Sequence, residues 1–479
     1  MSRLQDVQAE AAADNALARH LGAWDLVLLG IGGILGAGIF VSTGVVAADH
    51  AGPAIVLSFL IAAAACFCAA LCYAEFAAMV PASGSAYNYA HAAFGRLVGW
   101  FIGWCLLLEY LMAAATVSVG WSAYLVNLLQ SFGIVIPPQL SSPPISAENG
   151  ALAFGAPAIN APALMIILLL TFVLVRGVKL SVRVNSILVA IKVTVIVLFI
   201  GVASLSIDVA NWQPFLPPNS GTSGEYGWSG VFRGAAIIFY AYLGFDGVST
   251  AAKEAKNPQR SVPIGILGSL LFCTGLYILF ALTLTGIAPY PVLDSASPVS
   301  TALDYAGSHL AWLKITVAAG AVIGLTSVLV VLLFGLSRIL FAMGADGLVP
   351  SLFARISERS RAPTGGIVVA GLVVAATAAT FPIQTLSELI SMGTLVAFVF
   401  VCAGVLYLRH REPDVSRPFR VPFAPVVCTT GILVCIYMLL SLPQRTWLAF
   451  LIWTLAGAAY YALRRRHKGA AARPATPSV

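Results

Sequence analysis

Apolar runs of about 17 to 25 residues, long enough to cross the roughly 30 Å hydrocarbon core of a bilayer, recur along the whole chain with short polar breaks. They fall near 25–48, 54–80, 97–130, 162–176, 184–206, 229–253, 264–288, 311–342, 365–383, 386–407, 422–441 and 446–463. The pattern predicts about twelve spans. Backbone groups in lipid must be satisfied within the segment or by a closed barrel, and the alternating ten-residue strands of a barrel are absent. The expected fold class is therefore all-α and integral to the membrane, one bundle with no second domain. The long connection 131–161 is rich in proline and carries no Lys or Arg.

Composition narrows the class. Of 479 residues, 59% are hydrophobic and 9% charged, where a soluble domain carries about 25% charged residues. This excludes a soluble globular enzyme, and high hydrophobicity with low charge excludes intrinsic disorder. The formal charge of +7 is scattered singly among apolar runs, which argues against a nucleic-acid partner. Cys66, Cys68, Cys72, Cys105, Cys273, Cys402, Cys428 and Cys435 lie inside apolar segments and read as small buried apolar residues. The first 23 residues hold no apolar signal core, so the first span is expected to drive insertion itself.

Basic residues orient the bundle. With the N-terminus inside, only Arg233, Lys314 and Arg445 fall outside and Lys192 lies within a span; the other 22 of 26 face the cytoplasm, among them Arg96, Arg176, Arg260, Arg355, Arg409, Arg411 and the Arg464–Lys468 cluster. Both termini are expected on the cytoplasmic side of the inner membrane.

The first span reads WDLVLLGIGGILGAGIFVSTG, with Gly30, Gly32, Gly33, Gly36 and Gly38 within nine residues. Each interior glycine costs about 0.8–1 kcal/mol relative to alanine. Either the helix unwinds here or the glycines serve close packing, since Gly32 and Gly36 also fit a small-xxx-small spacing. The sixth span, FYAYLGFDGVSTAAKEAKNPQR, adds Gly244, Gly247 and the acid Asp246. Two interrupted spans in corresponding positions of two five-span halves point to an inverted-repeat transporter, 25–206 and 229–407, followed by two spans at 422–463 and a tail at 464–479. At such a break, helix-start amides attract a carboxylate while freed carbonyls accept from a cation. A zwitterionic amino acid carries both groups.

Five stretches, GIGGILGAGIFVSTG (30–44), PASGSAYNYAHAAFG (81–95), GWCLLLEY (103–110), FYAYLGFDGVSTAAKEAKNPQRSVPIGI (239–266) and SRILFAMGADGLVP (337–350), resemble the amino acid, polyamine and organocation superfamily, and within it bacterial members of the cationic amino acid transporter family. The resemblance implies the leucine-transporter-like fold, with spans 1–5 and 6–10 as inverted repeats. It implies that amides of Gly36, Ala37 and Gly38 meet the substrate carboxylate, and that carbonyls of Ile34, Tyr240, Ala241 and Leu243 meet its ammonium. Phe245 is either a pocket or gate residue or a core aromatic.

Lys192 in SILVAIKVTVIVLFI is the most informative single residue. A mid-span charge costs at least about 2.5–3.5 kcal/mol, so it should face the bundle interior and serve function. In relatives a sodium ion lies between spans 1, 5 and 8, and the resemblance implies that this lysine replaces it, near carbonyls of span 1 and Thr326 or Ser327. Proton rather than sodium coupling follows. Glu109 and Asp246 are intramembrane acids; they either face a cationic side chain, pair inside the bundle, or serve the proton path. Ala113 and Thr116 share the Glu109 face and leave a modest side-chain pocket. Glu75 marks the inner interface. Three positions depart from the family pattern: Cys105 and Ala345 stand where a polar or acidic residue and an arginine are usual, and Lys253 where an acid is common.

The function implied is secondary active import of neutral or a broad range of L-amino acids by proton symport, with a cationic amino acid transporter or an obligate exchanger as alternatives. Partners are the amino acid, the proton and the bilayer; no cofactor or metal is implied, and nothing in the residues points to or against a small membrane subunit. An enzyme is disfavoured because no HExxH, GxSxG or metal-ligand cluster occurs. A channel would want a carbonyl filter or charge ring repeated by subunit symmetry.

Overall fold

The computed structural model describes residues 21–79, 85–148, 151–155, 158–177, 182–250, 255–357 and 363–471. Residues 1–20, Lys253 and the tail from 472 lie outside them. The chain runs as α1 (Ala23–Ile34), α2 (residues 38–51), α3 (Ile55–Met79), α4 (Ser85–Phe94), α5 (Arg96–Ser131), a β1–β2 hairpin, α6 (Ala161–Val175), α7 (Val182–Ala203), α8 (Gly227–Ile238), α9 (Phe245–Thr250), α10 (Pro258–Ile287), α11 (Pro298–Ala306), α12 (Ala311–Ala345), α13 (Thr364–Thr380), α14 (Ile383–Arg411), α15 (Ala424–Ser441) and α16 (Gln444–Ala471).

Among the described residues, nine helical stretches are long and apolar enough to cross a membrane, and α1, α6 and α13 are shorter apolar helices. The difference from the twelve expected has physical causes. The first span is broken after Ile34, leaving α1 alone only 12 residues long, and α2 runs through a tight turn at Gly52–Ala54 into α3 as one apolar stretch. At about 1.5 Å per residue, 15-residue α6 reaches about 23 Å, short of the hydrocarbon thickness. A second departure from the all-helical expectation is the antiparallel pair Ile145–Glu148 with Ala151–Phe154 in the proline-rich connection.

Two groups of helices form the bundle. α10 packs along both α1 and α3, and α8 lies against α3; α12 runs along α5, and α13 packs on α6 and α5. α14 lies between the groups, against α5, α3 and α15. The eight cysteines are all free, seven buried and Cys68 partly so, in keeping with their reading as small core residues. Their helices hold no group of three or more His, Cys, Asp or Glu able to bind a metal among the described residues.

Ion pairs tether α14 at each end. At one end the Arg409 guanidinium donates to both Glu75 oxygens, at 3.1 and 2.5 Å, and the Val421 amide donates to Glu75 at 2.7 Å. At the other, Arg445 donates to Glu388 at 2.8 and 3.3 Å and the Thr446 hydroxyl adds 2.6 Å. Glu75 is therefore a tie between α3, α14 and the α14–α15 connection. Removing one partner of a buried pair strands the other, typically at about 3 kcal/mol or more. Glu75→Gln is expected to lower the thermal midpoint of the purified protein clearly while Glu225→Gln, on an exposed loop, does not; equal midpoints would show that solvent screens the pair.

Candidate substrate site at two facing helix breaks

α1 ends at Ile34 because Leu35 leaves helical geometry (ψ +89) and helix resumes only at Gly38, first in wide turns. Packing and unwinding, the two readings of this glycine run, hold together at different residues. A Cβ on Gly30 would lie 2.3 Å from the Ser269 hydroxyl, and one on Gly38 would lie 2.2 Å from the Ala241 Cβ, so these two serve close packing. At Gly36, inside the break, the nearest neighbour is a Val328 methyl at 3.6 Å, an ordinary contact.

The second break faces the first. α8 tightens into a 3₁₀ turn over Phe239–Tyr242, Leu243 turns extended (ψ 146), and α9 starts at Phe245. Gly244 has φ +112, a conformation that favours glycine, and a Cβ there would lie 2.4 Å from the Gly33 carbonyl carbon. The two interrupted backbones are in direct contact at Gly33 and Gly244.

Breaking a helix frees carbonyls at one end and amides at the other. Lys192, buried on α7, donates from Nζ to the Gly32 carbonyl at 2.9 Å and the Leu35 carbonyl at 3.2 Å. Its stem crosses α12 at Gly324, where a Cβ would meet the lysine Cγ at 2.6 Å. Thr326 and Ser327 are not its partners: Thr326 accepts from Trp121 at 2.9 Å, and Ser327 donates to the Gly324 carbonyl. The ammonium lies at the negative end of the α1 dipole, which favours a cation.

Tyr277 on α10 is the residue that sequence reasoning passed over. Its hydroxyl lies 2.8 Å from the Ile34 carbonyl and 2.7 Å from the Ala241 carbonyl. One hydroxyl proton serves one of them at a time, so a hydrogen-bonding link joins the two breaks at two of the carbonyls expected to face an ammonium. In GLYILF a tyrosine looks like any core aromatic; the available signal was that a buried tyrosine hydroxyl needs a partner. Tyr277→Phe leaves both carbonyls short of that donor, and at about 1–3 kcal/mol for a stranded buried group it is expected to slow uptake about tenfold in proteoliposomes. A wild-type rate would show that the link is dispensable.

The remaining carbonyls and side chains are placed as follows. The Tyr240 carbonyl accepts from the Leu243 amide at 3.0 Å, and the Tyr240 hydroxyl is hydrogen-bonded to the Ser42 hydroxyl, closing α2 onto the turn. Amides of Gly36, Ala37 and Gly38 stand at the start of α2, the positive end of its dipole. Phe245 is fully buried, with ring centroids 5.7 Å from Tyr73 and 5.4 Å from Phe398, so it belongs to an aromatic cluster. Asp246 accepts from the Gly244 amide at 3.2 Å, capping the break. Glu109, buried on α5, faces α14 at Gly393, where an added Cβ would lie 3.6 Å from the Glu109 Cβ. Ala113 is buried one turn further on, and the fully buried Thr116 hydroxyl has no hydrogen-bond partner among the described residues.

Two of the three departures from the family pattern are visible. The Cys105 carbonyl packs against Gly393. Ala345 ends α12, and the next residue carries the polar contacts: the Asp346 carboxylate accepts from the Tyr87 hydroxyl and its carbonyl from Arg96 at 3.1 Å. Tyr87 lies on α4, a ten-residue helix too short to span. Burial and this carboxylate push its hydroxyl well above the usual tyrosine range.

A bundle of apolar helices in which two are interrupted face to face, with backbone groups and a buried lysine lining the gap, defines a membrane solute carrier. The sequence pattern of the amino acid permease family matches residues 21–462. The chain is 44% identical over 453 residues to the methylthioribose transporter of Bacillus subtilis (strain 168), covering 94% of this chain and 95% of the relative. It is 42% identical over 464 residues to the branched-chain amino acid permease BcaP of the same organism, covering 97% and 96%. It is 40% identical over 404 residues to the chloroplastic cationic amino acid transporter 9 of Arabidopsis thaliana, covering 84% and 68%. The chain belongs to the amino acid permease family of the amino acid, polyamine and organocation superfamily, and is a multi-pass membrane permease rather than an enzyme.

Proposed function

We propose that this permease imports L-amino acids, neutral aliphatic ones by preference, by proton symport and alternating access. In this reading twelve spans form two inverted five-span halves, 25–206 and 229–407, with two further spans at 422–463. Both termini face the cytoplasm from the inner membrane, and the partners are the amino acid, the proton and the lipid. The observation that carries the reading is the Lys192 ammonium on the Gly32 and Leu35 carbonyls, where a coupling cation would otherwise be held.

The substrate carboxylate takes the amides of Gly36, Ala37 and Gly38, where only small side chains let the backbone approach. The ammonium takes the Leu243 carbonyl and whichever of the Ile34 and Ala241 carbonyls Tyr277 leaves open, with the Tyr240 carbonyl offering its second lone pair. The side chain extends toward Ala113 and Thr116, whose unpartnered hydroxyl is the polar group on that wall. Lys192 takes up and releases the coupled proton, while Glu109 and Asp246 lie on the proton path or cap the break. One charge moved through about 100 mV supplies roughly 2.3 kcal/mol. At about 1.36 kcal/mol per decade this sustains roughly 50-fold accumulation.

The branched-chain permease supports a neutral aliphatic substrate; the plant cationic transporter, together with Glu109 and Asp246, favours arginine or lysine as the second reading. The methylthioribose relative brings in a third chemistry, a sugar thioether with neither carboxylate nor ammonium. The test is uptake of labelled isoleucine, alanine and arginine into proteoliposomes under an inside-alkaline gradient, with choline replacing sodium and methylthioribose as competitor. Gradient-driven isoleucine or alanine uptake that neither arginine nor methylthioribose reduces is the expected result. Arginine uptake would assign the two acids to its side chain, competition by methylthioribose alone would replace the zwitterion site, and a strict sodium requirement would overturn the role of Lys192. Efflux that needs amino acid on the opposite side, with no proton uptake, would make the protein an exchanger.

A further inference from the structure

Thr116 breaks a rule that other buried threonines of the bundle keep. Thr171, Thr274, Thr283, Thr285 and Thr394 each donate to the carbonyl four residues back in their own helix, at 2.7–3.0 Å. That bond makes a threonine tolerable inside an apolar helix, because it returns the hydroxyl to the helix's own backbone. Thr116 is fully buried within α5, yet its hydroxyl makes no such bond and has no hydrogen-bond partner among the described residues. Buried polar groups in native proteins are paired, and a lone exception calls for a functional reason.

The face of α5 that carries Thr116 looks onto the first helix break. Residues three and four apart share a helix face, which groups Ala113, Thr116, Gly120 and Tyr124. The Tyr124 hydroxyl donates to the Phe40 carbonyl at 2.6 Å. A Cβ on Gly120 would lie 2.7 Å from a Val41 methyl and 3.9 Å from the Ala37 Cβ. Gly120 therefore brings α5 against Ala37, one of the residues whose amide is assigned to the substrate carboxylate. Thr116 lies one turn, about 5.4 Å, nearer the Arg96 end of α5, and Ala113 beside it carries a single methyl group. At about 1.5 Å per bond, the β- and γ-atoms of an amino acid anchored by its carboxylate at Ala37 fall within reach of that turn.

We infer that the Thr116 hydroxyl is a specificity-determining group that hydrogen-bonds a β-hydroxyl on the substrate. The range of neutral amino acids then extends to serine and threonine, and threonine is favoured over valine, which has the same shape. This rests on the zwitterion site proposed above and adds the side-chain chemistry that the site selects. A threonine hydroxyl can both donate and accept, so it answers a substrate hydroxyl in either sense, while the substrate methyl group takes the space beside Ala113. Valine fills the same volume and leaves the Thr116 hydroxyl unanswered, and a site built around a hydrogen bond rejects the analogue that lacks it.

The test measures competition by threonine and by valine against labelled alanine uptake in proteoliposomes, and thermal unfolding of the purified full chain with each amino acid, for wild type, Thr116→Val and Thr116→Ser. In the wild type, threonine is expected to inhibit at a concentration at least about fivefold lower than valine and to raise the midpoint more. Thr116→Val should lose or reverse that order and Thr116→Ser should keep it. Thr116→Val keeps the shape of the side chain and removes a stranded hydroxyl, so its midpoint without substrate should equal or exceed that of the wild type. A clear fall would give the hydroxyl a structural partner and overturn the inference. The same threonine-to-valine ratio in wild type and Thr116→Val would overturn it while leaving the zwitterion site standing. If neither amino acid inhibits uptake or raises the wild-type midpoint, the zwitterion site itself is overturned, and the inference with it.

Discussion

Lys192→Met is expected to abolish gradient-driven accumulation while leaving the protein folded. The wild type should hold roughly 50-fold more substrate inside than outside at about 100 mV, and the variant should level off near equality. Two consequences of the geometry meet in this residue. Its ammonium satisfies the Gly32 and Leu35 carbonyls at the end of α1, at 2.9 and 3.2 Å, and charge-assisted bonds of this kind contribute about 1.5–3 kcal/mol each. Its stem fills the slot opened by Gly324, which methionine still fills and alanine does not. Lys192→Ala should therefore lose the same accumulation and also thermal stability. Accumulation that survives in Lys192→Met would remove the lysine from the coupling step, whatever the alanine variant does.

Gly244→Ala should reduce uptake at least about a hundredfold, since a displacement of about 1 Å in a binding geometry can cost that much. The added methyl group would be 2.4 Å from the Gly33 carbonyl carbon, with backbone rather than flexible side chain in its way. The φ of +112 adds strain of about 1–3 kcal/mol for a residue bearing Cβ. Neither break can yield without moving the carbonyls of Ile34 and Ala241 apart, and with them the Tyr277 link. Gly247→Ala is the matched control: it lies three residues further on, and a Cβ there meets nothing within 4 Å. Similar uptake by the two variants would show that contact between the breaks is unnecessary for transport.

Much of the bundle was legible because lipid imposes two simple demands, length and apolarity, and both are written along the chain. The expected spans fall on described helices, nine stretches of which are long and apolar enough to cross a membrane, and the mid-span lysine announced itself by its cost. Less legible was how much helix lies on each side of a break: α1 is short because Leu35 turns, and no residue type at 35 says so. The glycine run shows the same limit. In sequence Gly33, Gly36 and Gly38 look alike, but Gly33 touches the second break, Gly36 has room around it and Gly38 packs on Ala241. Which glycine opens a site and which closes an interface depends on a partner more than 200 residues away in sequence.

The sequence by itself determined the membrane class, the helical architecture, the two interruptions and the buried lysine, because each follows from the local cost of placing that residue type in a bilayer. It also contained the family resemblance, carried by ordered motifs from the first span to the eighth. The tertiary structure decided which groups answer one another: Lys192 with the end of α1, Tyr277 with both breaks, Glu75 with Arg409, and Asp246 with the Gly244 amide. Hydrogen bonds and close backbone contacts act over about 3 Å, and only the packed bundle brings segments so distant along the chain within that range.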